Sequence, residues 1–188
     1  GRLKVAPEHT SDPVLKLMRK PSFTYFHKFK ERFDKINIRK KLNLQLIPYF
    51  ISNHPACEVE DMANLAAETK DLGFQLEQVQ GFTPTPMTVA TVIYYSGYHP
   101  YTLKPTRTPK SKQEKEEQHR FFFWYKKENQ AWIRKTLSKV GREDLLQKLL
   151  PSTNLWKKNK GGKAKDTFND TVTFDSRKKK KFNKRKKR

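Results

Sequence analysis

The sequence predicts an α/β fold with parallel strands, the rear part of a larger α/β unit, followed by a small helical region and a disordered basic tail. Three observations predict it. Apolar segments over the first half run in the order strand, helix, helix, strand, helix, strand, which argues for parallel strands joined by right-handed helical crossovers. Three such strands leave a parallel edge uncovered, and no leading strand–helix unit accompanies them, so the α/β part reads as incomplete by itself. Charge then divides the chain: of 41 Lys and Arg against 19 Asp and Glu, net +22, residues 151–188 hold 15 basic and 3 acidic, whereas residues 1–150 hold 26 and 16. The first part is long enough to bury one core. The tail has too few apolar residues to offset its ordering entropy.

Each element has a local reason. Arg2–Ala6 alternates as a short strand, and Ser11 or Asp12 N-caps the helix that follows, with Pro13 in its first turn. Val14, Leu15, Leu17 and Met18 form that helix's apolar side, and Pro21 stops it. A longer helix is expected from Phe23 to Lys40, because Phe26, Phe29, Phe33 and Ile36 recur at three- and four-residue spacing. Leu42–Ile51 reads as a buried strand ending in the loop Ser52–Pro55. Glu58–Asp71 is an amphipathic helix with Met62, Leu65 and Ala66 inward and Gly73 at its C-terminal cap. Phe74–Val79 predicts a third strand, ending in the loop Gly81–Pro86. Met87–Tyr95 is compatible with helix or strand, and His99–Pro109 is a Pro/Thr/Lys loop. Ser111–Tyr125, Ala131–Val140 and Arg142–Leu149 predict three helices.

Composition removes several function classes. The single cysteine, Cys57, excludes an internal disulfide framework, a CxxC zinc site and a self-contained iron–sulfur cluster. The five histidines form no HxxxH pair, so no metal site is expected, and the cysteine usage fits a reducing cytoplasm. Gln78–Leu103 is uncharged, but Gly81, Pro84, Pro86, Gly97 and Pro100 break it and its Thr, Gln and Tyr content is too polar for a membrane span. No signal peptide is expected. No GxSxG, P-loop, HExxH or dinucleotide glycine motif is present.

Ligands of parallel α/β units bind outside the carboxyl ends of the strands. The three loops there, Pro7–Asp12, Ser52–Cys57 and Gly81–Thr88, hold Glu8, His9, Ser52, Asn53, His54, Thr83 and Thr85. Two readings stand at this point: one polar site gathered from three strand ends, or ordinary loop polarity with Ser, Asp and Thr capping the next helix. Cys57 reads as an inert packing residue before a reactive thiol, and His27 and His119 as solvated residues on charged helices. The block Phe121–Tyr125, with Trp132, reads as core before a base-stacking surface. In the tail, Arg177, Lys178, Lys179, Lys180, Lys181, Lys184, Arg185, Lys186, Lys187 and Arg188 suit sequence-independent phosphate binding to RNA or DNA, or a solvated extension.

The segments LKVAPEH (Leu3–His9), VLKLMRKP (Val14–Pro21), QLIPYFISNHP (Gln45–Pro55), QVQGFTPTP (Gln78–Pro86) and YYSG (Tyr94–Gly97) stand in an order that closely resembles the YgiQ-type family of the radical S-adenosylmethionine (radical SAM) superfamily. The resemblance runs over about residues 2–150. It implies that residues 1–86 are the late strands of a partial parallel (β/α) barrel, that residues 87–150 are the family's mainly helical C-terminal domain, and that 151–188 is a tail outside both. The superfamily holds a [4Fe–4S] cluster on a CxxxCxxC loop near the first barrel strand, and S-adenosylmethionine binds the fourth iron. None of those cysteines is in this sequence. The resemblance therefore implies both cofactors in a parent protein, neither held by this chain alone, and the missing N-terminal half of the barrel as partner.

What the resemblance leaves to this chain is part of the S-adenosylmethionine cradle. Glu8 and His9 take the place of the polar pair that contacts the ligand's ribose or amino acid part. Ser52, Asn53 and His54 lie in the stretch Ile51–Ala56, where relatives carry an IxGxPG-like pattern near the adenine. Asn53 and Ala56 stand where glycines are customary. Phe82 and Thr83 would lie near the adenine as well. A fragment of a radical SAM protein of unknown substrate is the first functional reading. A basic nucleic-acid-binding module is the alternative, and an autonomous interaction domain the third.

Overall fold

Three strands, β1 (Arg2–Glu8), β2 (Gln45–Ser52) and β3 (Gln78–Gly81), pair in parallel in the spatial order β1-β2-β3. Arg2 faces Gln45, Val5 faces Pro48, Tyr49 faces Gln78 and Ser52 faces Gly81, so the three carboxyl ends emerge on the same side. The helices α1 (Asp12–Leu17) and α2 (Thr24–Arg39) connect β1 to β2, and α3 (Val59–Asp71) connects β2 to β3. The order and direction expected from the sequence are those found. This computed structural model describes residues 1–151, so the basic tail and its ten candidate phosphate-binding residues lie outside the described residues.

Local chemistry explains most boundaries. Ser11 occupies the N-cap position of α1 without a side-chain capping bond, and Pro13 sits in the first turn, where its missing N–H is not needed. A capping box of Glu58 and Asp61 starts α3, and Gly73 at φ 76° ends it. Strand β2 begins three residues later than expected. The Asn37 side-chain amide donates to the Leu44 carbonyl at 2.8 Å, and the Leu42 N–H to the Asn37 carbonyl at 2.9 Å. Residues 42–44 thus finish the helix rather than start the strand. Strand β3 is also displaced from the expected Phe74–Val79, because pairing begins only where Gln78 meets Tyr49. Phe74 and Leu76 pack against the core instead.

Beyond β3 the chain is helical: α4 (Val89–Ser96), α5 (Lys112–Arg120), a 3-10 turn at Phe121–Phe123, α6 (Lys127–Lys139) and α7 (Glu143–Leu149). Met87–Tyr95, ambiguous in sequence, is resolved as helix by the Thr88 side chain, which accepts from the Thr91 N–H, and by left-handed Gly97 at the other end. Phe121 and Phe122 are fully buried, as core aromatics should be. With Ile133, Leu137, Leu145 and Leu149 they join the cluster that holds Val14, Leu15, Phe50, Met62 and Leu65. Helix α3 packs against α7, the Phe121–Phe123 turn and α5, and its buried residues share a cluster with Phe50 of β2.

The pleat divides β2. Pro48, Phe50 and Ser52 are buried, whereas Ile47, Tyr49 and Ile51 are only half-buried on the opposite face. On α2 only Phe26 is buried; Phe29 and Ile36 remain exposed, so the expected apolar stripe is covered at one end alone. Among the described residues no helix is long and apolar enough to cross a membrane.

Candidate functional site

Pro48 has no N–H to give the ladder, and the register between β1 and β2 slips just beyond it, between Val5 and Glu8. That bulge ends β1 with Glu8 at φ 68°, a left-handed conformation uncommon for such a residue. The Glu8 carboxylate pairs with Lys20 through one oxygen at 3.3 Å, while its other oxygen, Oε2, is buried without a partner.

His9 points the other way, into the protein. Its Nδ1 accepts from the Ser11 N–H at 3.0 Å, and its Nε2 lies 3.4 Å from Cys57 Sγ. With Nδ1 an acceptor, the neutral ring carries its proton on Nε2 and donates it toward sulfur. Burial lowers the His9 pKa to about 4, with Asp61 opposing and His54 reinforcing the shift. Burial also pushes the Cys57 thiol up, with Asp61 acting in the same sense. Both groups are neutral at physiological pH, so Cys57 is a packing residue and not a nucleophile.

The loop from β2 to α3 is held in an unusual shape. Asn53 and Ala56 adopt φ 63° and 70°, the region glycine takes most easily. Where relatives were expected to place glycines, the backbone here keeps a glycine-like conformation with side chains attached. Gln118 of α5 clamps the loop: its Oε1 accepts from the Asn53 N–H at 2.8 Å, and its Nε2 donates to the Cys57 carbonyl at 2.7 Å. Gly81 abuts the same loop closely, since a Cβ there would come within 3.1 Å of the Asn53 amide nitrogen. His54 donates from Nδ1 to the Pro55 carbonyl at 2.8 Å, which leaves Nε2 as an acceptor. Burial lowers its pKa as well, against the Pro55 carbonyl.

Glu8, His54, Phe82 and Thr83 line one cavity of about 500 Å³ at the carboxyl ends of the strands, together with Lys20 and residues of the α1 and α4 ends. Phe82 sets the edge of its ring against His54 at 5.1 Å and lies 5.7 Å from Tyr94. His9 and Ser52 are fully buried behind this cavity, and Asn53 lines a neighbouring one. Thr85 lines the strand-end cavity as well, and its backbone carbonyl accepts from the Thr88 and Thr91 hydroxyls at the start of α4. Among the described residues three buried side-chain atoms lack a partner: Glu8 Oε2, Ser52 Oγ and Asn53 Oδ1. All three belong to the strand ends. The sequence reading missed Lys20 and Gln118, both set among other charged or polar residues with nothing local to mark them.

A match to the domain of unknown function DUF3362 covers residues 77–188. A UPF0313 protein of Porphyromonas gingivalis is 61% identical over 153 residues, 81% of this chain and 24% of the relative. One from Bacteroides thetaiotaomicron is 60% identical over 154 residues, 82% of this chain and 25% of its own. The chain belongs to the DUF3362 family, and these relatives are UPF0313 proteins. These are the YgiQ-type proteins that its motifs resemble. A more distant UPF0313 protein, from Methanocella arvoryzae, is 44% identical over 147 residues, 78% of this chain and 24% of its own. The chain thus spans about a quarter of the length of the curated relatives it matches. No solved structure matches it.

Proposed function

We propose that this chain is the rear portion of a radical SAM iron–sulfur protein, and that its strand-end cavity supplies part of the S-adenosylmethionine cradle. The observation that carries this reading is the cavity wall. Glu8 Oε2 is buried there with no partner, and His54 offers Nε2 as an acceptor that makes no hydrogen bond among the described residues. A buried acceptor left unpaired costs roughly 1–3 kcal/mol, which a ligand donor would recover. S-adenosylmethionine brings such donors, an ammonium and ribose hydroxyls, together with a positive sulfonium that a carboxylate favours. Phe82 and Thr83 add an aromatic face and a hydroxyl at the same opening. His9, Ser52 and Asn53 support this wall from behind.

The cluster does not fit this chain. A [4Fe–4S] centre takes several thiolates, and here there is one cysteine, buried and held protonated. Among the described residues no group of three His, Cys, Asp or Glu is placed to hold a metal ion. The cluster and the one-electron chemistry it would supply therefore belong to a longer protein. In this reading the three strands are the late strands of a partial barrel. Its other half docks on the free edge of β1, where Val5, Ala6 and Pro7 border a groove shared with the exposed Phe29.

The deciding experiment is iron and sulfide analysis of the full-length protein, purified without oxygen, with S-adenosylmethionine binding measured alongside. About four of each per chain, and binding weakened by Glu8→Gln, are expected. A full-length protein free of iron, or one whose binding ignores Glu8, overturns the reading.

A further inference from the structure

The β2–α3 loop lies between two cavities that differ in charge, the strand-end one being lined by Glu8 with Arg19 and Lys20. His54 lines the acceptor-rich one at the strand ends, whereas Asn53, one residue earlier, lines a second of about 660 Å³ against α5 and the start of α6. Around this second cavity stand Lys110, Lys112, Lys115, Arg120 and Lys126, with Glu116 and Glu128 as the acidic members, a surplus of three positive charges.

Around this cavity, among the described residues, only the Lys112 side chain meets a carboxylate. Several basic side chains elsewhere meet carboxylates: Arg107 bridges Glu58 and Glu114, Arg142 pairs with Asp144 at 2.7 Å, and Lys148 with Asp71 at 2.5 Å, while Lys70 meets the Lys148 and Leu149 carbonyls and the Trp124 ring. Lys112 lies 3.8 Å from Glu116. The other four have only neutral partners among the described residues. Lys110 donates to the Tyr95 carbonyl at 3.2 Å and Lys115 to the Tyr94 hydroxyl at 2.8 Å. Arg120 stacks over the Trp132 ring at 5.2 Å and Lys126 over Phe123 at 4.5 Å. Cations positioned by carbonyls, hydroxyls and ring faces have no carboxylate partner to offset their mutual repulsion, which an anion among them would relieve.

We propose that this cavity binds the phosphate of a nucleotide-sized ligand. Several cations converging on one concave space suit the charge and the many acceptor oxygens of a phosphate better than a single carboxylate. The volume leaves room for the attached organic part beside His119 and Phe123, whose rings meet at 5.6 Å. Such a phosphate comes from a free nucleotide or from one residue of a nucleic-acid strand. This inference stands apart from the cradle reading, whose ligand is positively charged.

The test is calorimetric titration of the 188-residue chain with uridine monophosphate and with an oligouridylate, probes that lack the adenine an adenosine pocket would accept. Two variants accompany the wild type: Lys110→Gln/Lys126→Gln, at exposed positions that should not disturb folding, and one with the ten basic residues of 177–188 changed to Gln. A loss of about tenfold in uridine monophosphate affinity is expected for the pocket pair, and less than about twofold for the tail variant. Equal affinity for the two probes identifies a free nucleotide as the source; much tighter oligouridylate binding, still lost in the pocket pair, identifies a strand. No binding by the wild type, or binding lost only in the tail variant, overturns the proposal. Binding retained in the pocket pair does the same when thermal melting shows that variant folded.

Discussion

His9 accepts one hydrogen bond and donates another in its neutral form, and it has no solvent access. Protonation would set an N–H against the Ser11 N–H and bury a charge. The folded-state pKa of about 4 lies below the unfolded value of 6.5, so the unfolded chain takes up the proton first. Stability is therefore full above pH 6.5 and falls as pH drops from 6.5 toward 4, by up to roughly 3 kcal/mol from this residue. His54 and His119 are lowered by burial and add in the same direction. Urea unfolding at about pH 7 and about pH 4.5 reads the effect as a lowered midpoint. His9→Gln should remove the largest single share of the difference. An identical midpoint for the wild type at both values would refute the burial argument.

The β2–α3 loop is shaped at the level of elements rather than residues. Its left-handed Asn53 and Ala56 are unfavourable locally, and they persist because a helix sixty residues away satisfies the backbone beside them. Gln118→Ala would leave the Asn53 N–H and the Cys57 carbonyl buried and unpaired, at a cost of about 2–4 kcal/mol. Hydrogen exchange should quicken across residues 52–57 more than across α3. Uniform exchange, or a loss below about 1 kcal/mol, would show that the clamp is not what holds the loop. Nothing in KQEKEEQHR distinguishes Gln118 from its charged neighbours, so this role was not legible in the sequence. The end of α3 was, because the left-handed turn at Gly73 is set by that residue itself.

At the scale of the whole molecule, the α/β segment and the C-terminal helices share one hydrophobic cluster through α3. Phe122 is fully buried in that cluster, and Phe122→Ala should cost about 3–5 kcal/mol. Because the core is common, the loss should lower the melting of strands and helices together, with near- and far-ultraviolet circular dichroism transitions coinciding. Separate transitions would mean that residues 1–86 and 87–150 fold as independent units. The same cohesion explains where element prediction faltered. Helices α2 and α3 lie within one residue of their expected limits, since periodicity and caps are local, whereas α1 ends at Leu17, before the Pro21 expected to stop it. Strand β3 is displaced because its register is set by β2, not by its own pattern.

The sequence by itself determined the order of elements, the parallel pairing, the core aromatics and the loops at the strand ends. Each follows from periodicity, capping or the reach of a crossover, all encoded within a few residues. Tertiary structure alone decided which polar residues share a cavity. It turned Glu8 and His54 toward one space, sent His9 to Cys57 and Asn53 to the basic cavity, and brought Gln118 to the loop. Adjacent residues diverge at a bulge or a left-handed turn by an amount that φ fixes and the sequence does not state. The physical reason is that a side chain's direction is a backbone property, and these backbone conformations are maintained by contacts far away in the chain.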